Sequence, residues 1–282
     1  MRFRSFAVIL CCLPVLAVLP ARSAQADEAP LDAEPRAGVE VEARYASSVL
    51  IFRVGEIELE AVFGAERYAA QSRVTAVGLA ALFTDFDIRS EVRGRPGEGP
   101  LRYAHVERTG DKVRSVSVDF GTGVAQAVAE PPFGSLGQPP ASAEERTGVI
   151  DPMTAFFELS RLVAANGEAG CVGRLSVFDG KQRYDLRLED GGAERIRTRA
   201  WRGEARLCRA WYEPVSGYDP EDYPSESELR HPLEVWLAEF PEAGVHLPVR
   251  IFTRAGFGGI TIEASELAIR SAPPAVDPDG AD

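Results

Sequence analysis

Residues 150–188 read IDPMTAFFELSRLVAANGEAGCVGRLSVFDGKQRYDLRL, a helix followed by the two arms of a hairpin. Asp151 suits the N-cap, and Pro152 suits the first helical position, where its missing N–H would have had no partner. Met153, Phe156, Leu159 and Val163 recur at helical spacing, and Asn166-Gly167 supplies the stop. Beyond it the apolar period changes to two. Asp179-Gly180, taken as a two-residue loop with the positive dihedrals of a type I′ turn, sets Leu175 against Tyr184, Gly173 against Leu186 and Cys171 against Leu188. Cys171 thereby falls on the apolar face.

Outward from this core the period of two dominates. Val39, Val41, Ala43 and Tyr45 alternate with polar neighbours, the pattern of a half-buried strand. Leu50, Phe52 and Val54 share one parity, whereas Ile57, Leu59, Ala61 and Phe63 share the other. A bulge or bend near Gly55 would restore one continuous inner face. Gly110-Asp111 as a two-residue loop places Leu101, Tyr103 and His105 opposite Phe120, Val118 and Val116. Residues 78–86 (GLAALFTDF) suit either a short helix or an apolar crossing, while 131–147 and 214–228, rich in Pro, Gly, Ser and acids, read as exposed loops. Strand patterns at 249–253 and 260–269 complete a mainly β (α+β) domain over 38–271. The expected architecture is a strongly curved antiparallel sheet, an open spiral or half-barrel, wrapped around one helix.

Residues 1–26 have the layout of an export signal. Arg2 and Arg4 precede the apolar run Phe6 to Leu19, and Ala24-Gln25-Ala26 forms a small-residue cleavage site. The apolar run is short for a membrane span, so no transmembrane segment is expected after cleavage. Residues 27–37 form an acidic, flexible lead-in, and 272–282 a disordered tail. Loss of the signal removes Arg2, Arg4 and Arg22 and no acid, so the net charge of −12 becomes −15. Such a surface repels phosphate backbones and anionic lipid headgroups, which argues against nucleic acid as a partner and against a purely electrostatic membrane association. Cys11 and Cys12 leave with the signal; Cys171 and Cys208 remain, and in an oxidising space they read as one disulfide closing a loop of about 37 residues. Two free thiols or two metal ligands are the weaker alternatives, since neither CxxC nor histidine stands beside them.

No catalytic constellation emerges. His105, His231 and His246 lie in no ligand spacing, and His105 reads as a satisfied, partly buried side chain. Gly134-Ser135-Leu136-Gly137 departs from a nucleophile elbow, and Gly256, Gly258 and Gly259 read as a turn between strands. Asp85 and Asp87 would share a face on a strand, as acid/base work requires, but a solvated edge beside Arg89 explains them. The acids Asp219, Glu221, Asp222 and Glu226 read as surface solubility. Trp201, Trp211, Tyr212 and Trp236 lie on or beside strand patterns and form the candidate lining of an apolar ligand groove, against ordinary core packing. No metal or cofactor is expected.

Five strings, GLAALFTDFDIRSEVRG (78–94), IDPMTAFFELSRLV (150–163), VFDGKQRYDL (177–186), YEPVSGYDPE (212–221) and LPVRIFT (247–253), together resemble the exported proteobacterial proteins of domain of unknown function 3108. The resemblance implies a periplasmic location and supplies no catalytic residues. The resulting expectation is a non-enzymatic periplasmic protein supporting the cell envelope, with a lipid or peptide held on a concave sheet face. The alternatives are an envelope enzyme using convergent carboxylates such as Asp85, Asp87 or Asp179, and a scaffold that binds an envelope protein through a sheet edge.

Overall fold

The computed structural model describes residues 38–78, 80–82, 84–255 and 258–271. The expected signal, lead-in and tail lie outside the described residues. The chain forms β1 (Gly38–Val49), β2 (Phe52–Gly64), β3 (Tyr68–Ala76), β4 (Phe86–Arg95), β5 (Gly99–Thr109), β6 (Lys112–Asp119) and β7 (Gln126–Glu130). Then come α1 (Pro152–Asn166), β8 (Gly173–Phe178), β9 (Arg183–Arg197), β10 (Arg202–Ser216), the single turn α2 (Glu226–Leu229), β11 (Leu233–Phe240), β12 (Val245–Ala255) and β13 (Gly258–Ser271). The ambiguous segment at 78–86 contains a 3-10 turn, Ala80–Leu82, leading into β4.

All thirteen strands of the described residues belong to one sheet, in the order β7-β6-β5-β4-β3-β2-β1-β13-β12-β11-β10-β9-β8. Sequential strands pair as antiparallel neighbours, and the first strand pairs with the last, from Val39–Ser271 to Val49–Ile260. The result is the wall of a barrel opened between β7 and β8. Helix α1 and the preceding loop occupy the opening: Thr147 bridges Val124, and Ile150 bridges Val177 on the outer edge of β8. That pairing satisfies Ser176 O and Phe178 N, edge groups that would otherwise invite another strand.

The helix starts as its sequence dictates. Asp151, wholly buried, accepts from the N–H groups of Met153 and Thr154 and from the Thr154 hydroxyl. Leu159 and Val163 are buried as the spacing predicts, while Met153 and Phe156 are only half-buried and Thr154 and Ala155 complete the buried stripe. The interior is filled by three apolar clusters. One joins Val41, Val92, Tyr103 and Val118 to Met153 and Phe157 of the helix; a second joins Leu159 and Val163 to Val177, Leu188 and Val235; a third lies around Tyr45, Leu207, Trp236 and Val249.

Three sequence expectations need correction. The hairpin around Asp179 pairs Val177 with Tyr184, Leu175 with Leu186 and Gly173 with Leu188. Its loop is therefore four residues long, because the Asp179 carboxylate accepts from both Lys181 N and Gln182 N and prolongs the turn. The two-residue register shift preserves which side chains face inward. A bulge does fall at Val54, between the pairs Ser47–Gly55 and Ser48–Arg53, but Leu50 and Phe52 join no inner face: they sit exposed at the hairpin tip. His105 is partly buried, yet its Nδ1 has no partner, and burial lowers its pKa to about 4.

The inward-facing row Ile88–Glu107–Arg114 contains a buried acid. Burial raises the Glu107 pKa to about 7 against the hydrogen bond from Thr109 and the pull of Arg114. A carboxyl whose folded pKa exceeds its unfolded one contributes stability at low pH that is lost as pH rises, here between about 4.5 and about 7. Glu107→Gln is expected to match the parent below about pH 4 and to exceed it by about 1–2 kcal/mol near pH 8, read from urea midpoints across pH.

Candidate functional site

Between α1 and strands β8 to β11 the core leaves an apolar cleft of about 120 Å³. Ala155, Phe156 and Leu159 of the helix form one wall. Leu175, Leu186, Leu188 and Ala210 form the sheet wall, with Tyr184 and Tyr212 stacked beside them at 4.6 Å between ring centroids. Alternation along β8, β9 and β10 is what delivers these side chains to one face. Glu228, Leu229 and His231 at α2, together with Thr253 and Arg254 at the end of β12, form the mouth.

Both stacked tyrosines remain neutral. Burial holds each phenol well above its ordinary pKa; nearby Asp179 opposes ionisation of Tyr184, and Tyr218 that of Tyr212. Tyr212 and Tyr218 are hydrogen-bonded hydroxyl to hydroxyl. The wall is thus an apolar surface with phenols fixed at its margin, suited to holding an apolar group.

Of the four aromatic residues expected to line a groove, Tyr212 alone lines this cleft. Trp236 is packed in the core, where its indole N–H donates to Glu194 and the Arg250 guanidinium lies over its ring. Trp201 packs on Phe240 at 5.0 Å between ring centroids. Trp211, adjacent to Tyr212 and so on the other face of β10, binds Glu189 and lies under Arg187. The cleft's aliphatic lining carries no distinguishing signal in the sequence because Leu and Ala on strands resemble any core.

The carboxylates expected of an enzyme do not converge. Asp87 is held by Arg73 and Arg89, which keep its pKa below the usual range. It alternates with the inward-facing Ile88 and so lies on the outer face of the sheet. Asp85 is exposed and precedes β4. Asp179 lies on the inner side, where Gly180 of its turn meets Val116, and its carboxylate is committed to that turn.

A model of the family described as "Protein of unknown function (DUF3108)" matches residues 41–265. The chain belongs to this DUF3108 family. No curated protein matches it. Among solved structures, the chain is similar to the crystal structure of a beta-barrel-like protein of domain of unknown function DUF1849 from Brucella abortus. The identity is 10% and the TM-score 0.51, over 84% of this chain and 98% of that one. The likeness is one of fold.

In this DUF3108 protein the segments 177–186 and 212–221 meet at a buried ion cluster. Lys181 Nζ lies 2.7 Å from Asp219 and 3.6 Å from Asp222, with side-chain exposures of 2%, 10% and 20% respectively. The Ser135 hydroxyl also donates to Asp219. The backbones approach so closely that a Cβ on Gly217 would lie 2.0 Å from the Lys181 carbonyl oxygen. Gly217 N donates to Pro139 O, and Gln138 N donates to Tyr218 O, so the outwardly polar 131–147 loop is pinned to the same place. Residues 216–219 are therefore buried rather than exposed, and Asp219 is no surface solubiliser. The cluster locks the floor beside the cleft. Cys171 and Cys208, joined as a disulfide and wholly buried, fasten the connection after α1 to β10 on its other side. Among the described residues no helix is long and apolar enough to cross a membrane.

Proposed function

We propose that this protein is a non-enzymatic binding module of the periplasm that holds a short alkyl segment or a single apolar side chain in the cleft between α1 and β8–β11, in support of the cell envelope. The cleft's size and lining carry this reading. An apolar cavity of about 150 Å³ accepts a benzene-sized group, so about 120 Å³ suits the end of a chain and not a whole lipid. The interior beyond it is occupied by the protein's own side chains. Export rests on the N-terminal sequence, with which a buried disulfide agrees.

Decanoate tests the reading, its alkyl end in the cleft and its carboxylate at the mouth near Arg254. Titration calorimetry is expected to detect binding that falls at least about tenfold in Ala210→Phe, which fills the cleft. Binding unaffected by that substitution, or no binding by the parent, would remove the proposal.

A further inference from the structure

The loop between β1 and β2 contradicts the chemistry of its own turn. Val49 pairs with Phe52, leaving Leu50 and Ile51 as a two-residue connection. Such loops select Gly, Asn or Asp because one or both residues need positive φ. Here Leu50 adopts φ 55°, the one non-glycine residue in that region among the described residues. The tip is also apolar: Leu50 is 65% exposed, Ile51 88% and Phe52 50%. Conformational strain at Leu50 thus coincides with hydrophobic exposure over three consecutive residues, a combination that folding alone disfavours.

The surroundings indicate what the tip meets. Leu50 N donates to Gly259 O, and Gly259 pairs with Arg254, so this end of the sheet carries the tip between Arg53 on β2 and Arg254 on β12. Both cations are exposed; Arg53 is paired with Glu56. A protein interface of ordinary size needs about 800 Å² from each side, more than a two-residue turn presents. A bilayer interface accepts a narrow apolar projection and lets flanking arginines reach the phosphate level. Arg254 also stands at the mouth of the apolar cleft.

We propose that the Leu50-Ile51-Phe52 hairpin tip inserts into a phospholipid surface, with Arg53 and Arg254 at headgroup level, and thereby presents the mouth of the cleft to the lipid. The docking itself does not require the cleft to be occupied. With a net charge of −12 the chain as a whole is repelled by anionic membranes, so apolar insertion drives the association.

Ile51→Trp in the full chain, mixed with phosphatidylcholine vesicles brominated along the acyl chains, reports on the tip itself. The expected result is quenching beyond that of the parent's own tryptophans. Flotation with the same vesicles is expected to weaken at least about tenfold in Ile51→Asp, whose thermal transition should stay that of the parent at so exposed a position. Ala210→Phe should float like the parent, which separates failure of docking from failure of the cleft. An unquenched indole at position 51, equal flotation of Ile51→Asp, or a tip that cross-links to a polypeptide while ignoring vesicles would each overturn the proposal.

Discussion

Lys181→Met is expected to lower the unfolding free energy by about 3–5 kcal/mol, the loss that follows when one partner of a buried ion pair is removed. The substitution strands Asp219, whose side chain is 10% exposed, against a loop it cannot leave. For a domain of this size the thermal transition should fall by roughly 10 °C, measurable by circular dichroism. Lys181→Met combined with Asp219→Asn should recover much of the loss, because the penalty comes from the unpaired charge rather than from absence of the attraction. The acid limb supplies an independent sign. Lys181, then Ser135, hold the Asp219 pKa below its usual 3.8. Its stabilisation is present above the unfolded value and is lost as pH falls through the lower folded one. Lys181→Met should flatten that loss, and a variant as stable as the parent would show that the cluster holds nothing.

Joint replacement of Cys171 and Cys208 by alanine is expected to have a loss nearly as large. The bond closes a separation of 37 residues, which on the chain-entropy account contributes about 3–4 kcal/mol by restricting the unfolded chain. Both sulfurs lie in the cluster that includes Leu159, Val163, Leu188 and Val235, so the alanines also leave small voids. Denaturant unfolding with and without a reductant checks the effect. The parent should drop on reduction while the double variant stays unchanged, and equal midpoints for oxidised parent and double variant would refute a stabilising role. Because the bond ties the connection after α1 to β10, its loss should also loosen the cleft, read as weaker decanoate binding.

The local features of the fold were legible because they are decided by neighbours in sequence. The N-cap at Asp151, the stop at Asn166-Gly167 and the hairpin at Gly110-Asp111 each depend on a few adjacent residues, and each stands where the pattern places it. The Asp179 turn departs by two residues from the expected register for the same kind of reason. A side-chain carboxylate that accepts two backbone N–H groups can outcompete the preference of Asp-Gly for the shortest loop. The cleft was legible only through Tyr212, because a large aromatic on a strand attracts attention and Leu175, Leu186, Leu188 or Ala210 do not. The exposed tip was concealed by its period: Leu50 and Phe52 alternate like core residues, and nothing local distinguishes a buried alternation from one at the end of a hairpin.

By itself the sequence determined the strand-rich composition, the one long helix of the described residues with both its ends, the pair of cysteines available to each other, and the inner or outer face of most residues within the regular hairpins. These follow from periodicity, capping and turn chemistry, which act over a few residues. The tertiary structure alone decided that β1 pairs with β13, that the wall opens between β7 and β8 around α1, and that Lys181 meets an acid 38 positions away. Such contacts are chosen by how much apolar surface and how many polar groups the whole chain can satisfy at once, and the free energy of that choice is spread over the entire sheet rather than written in any segment.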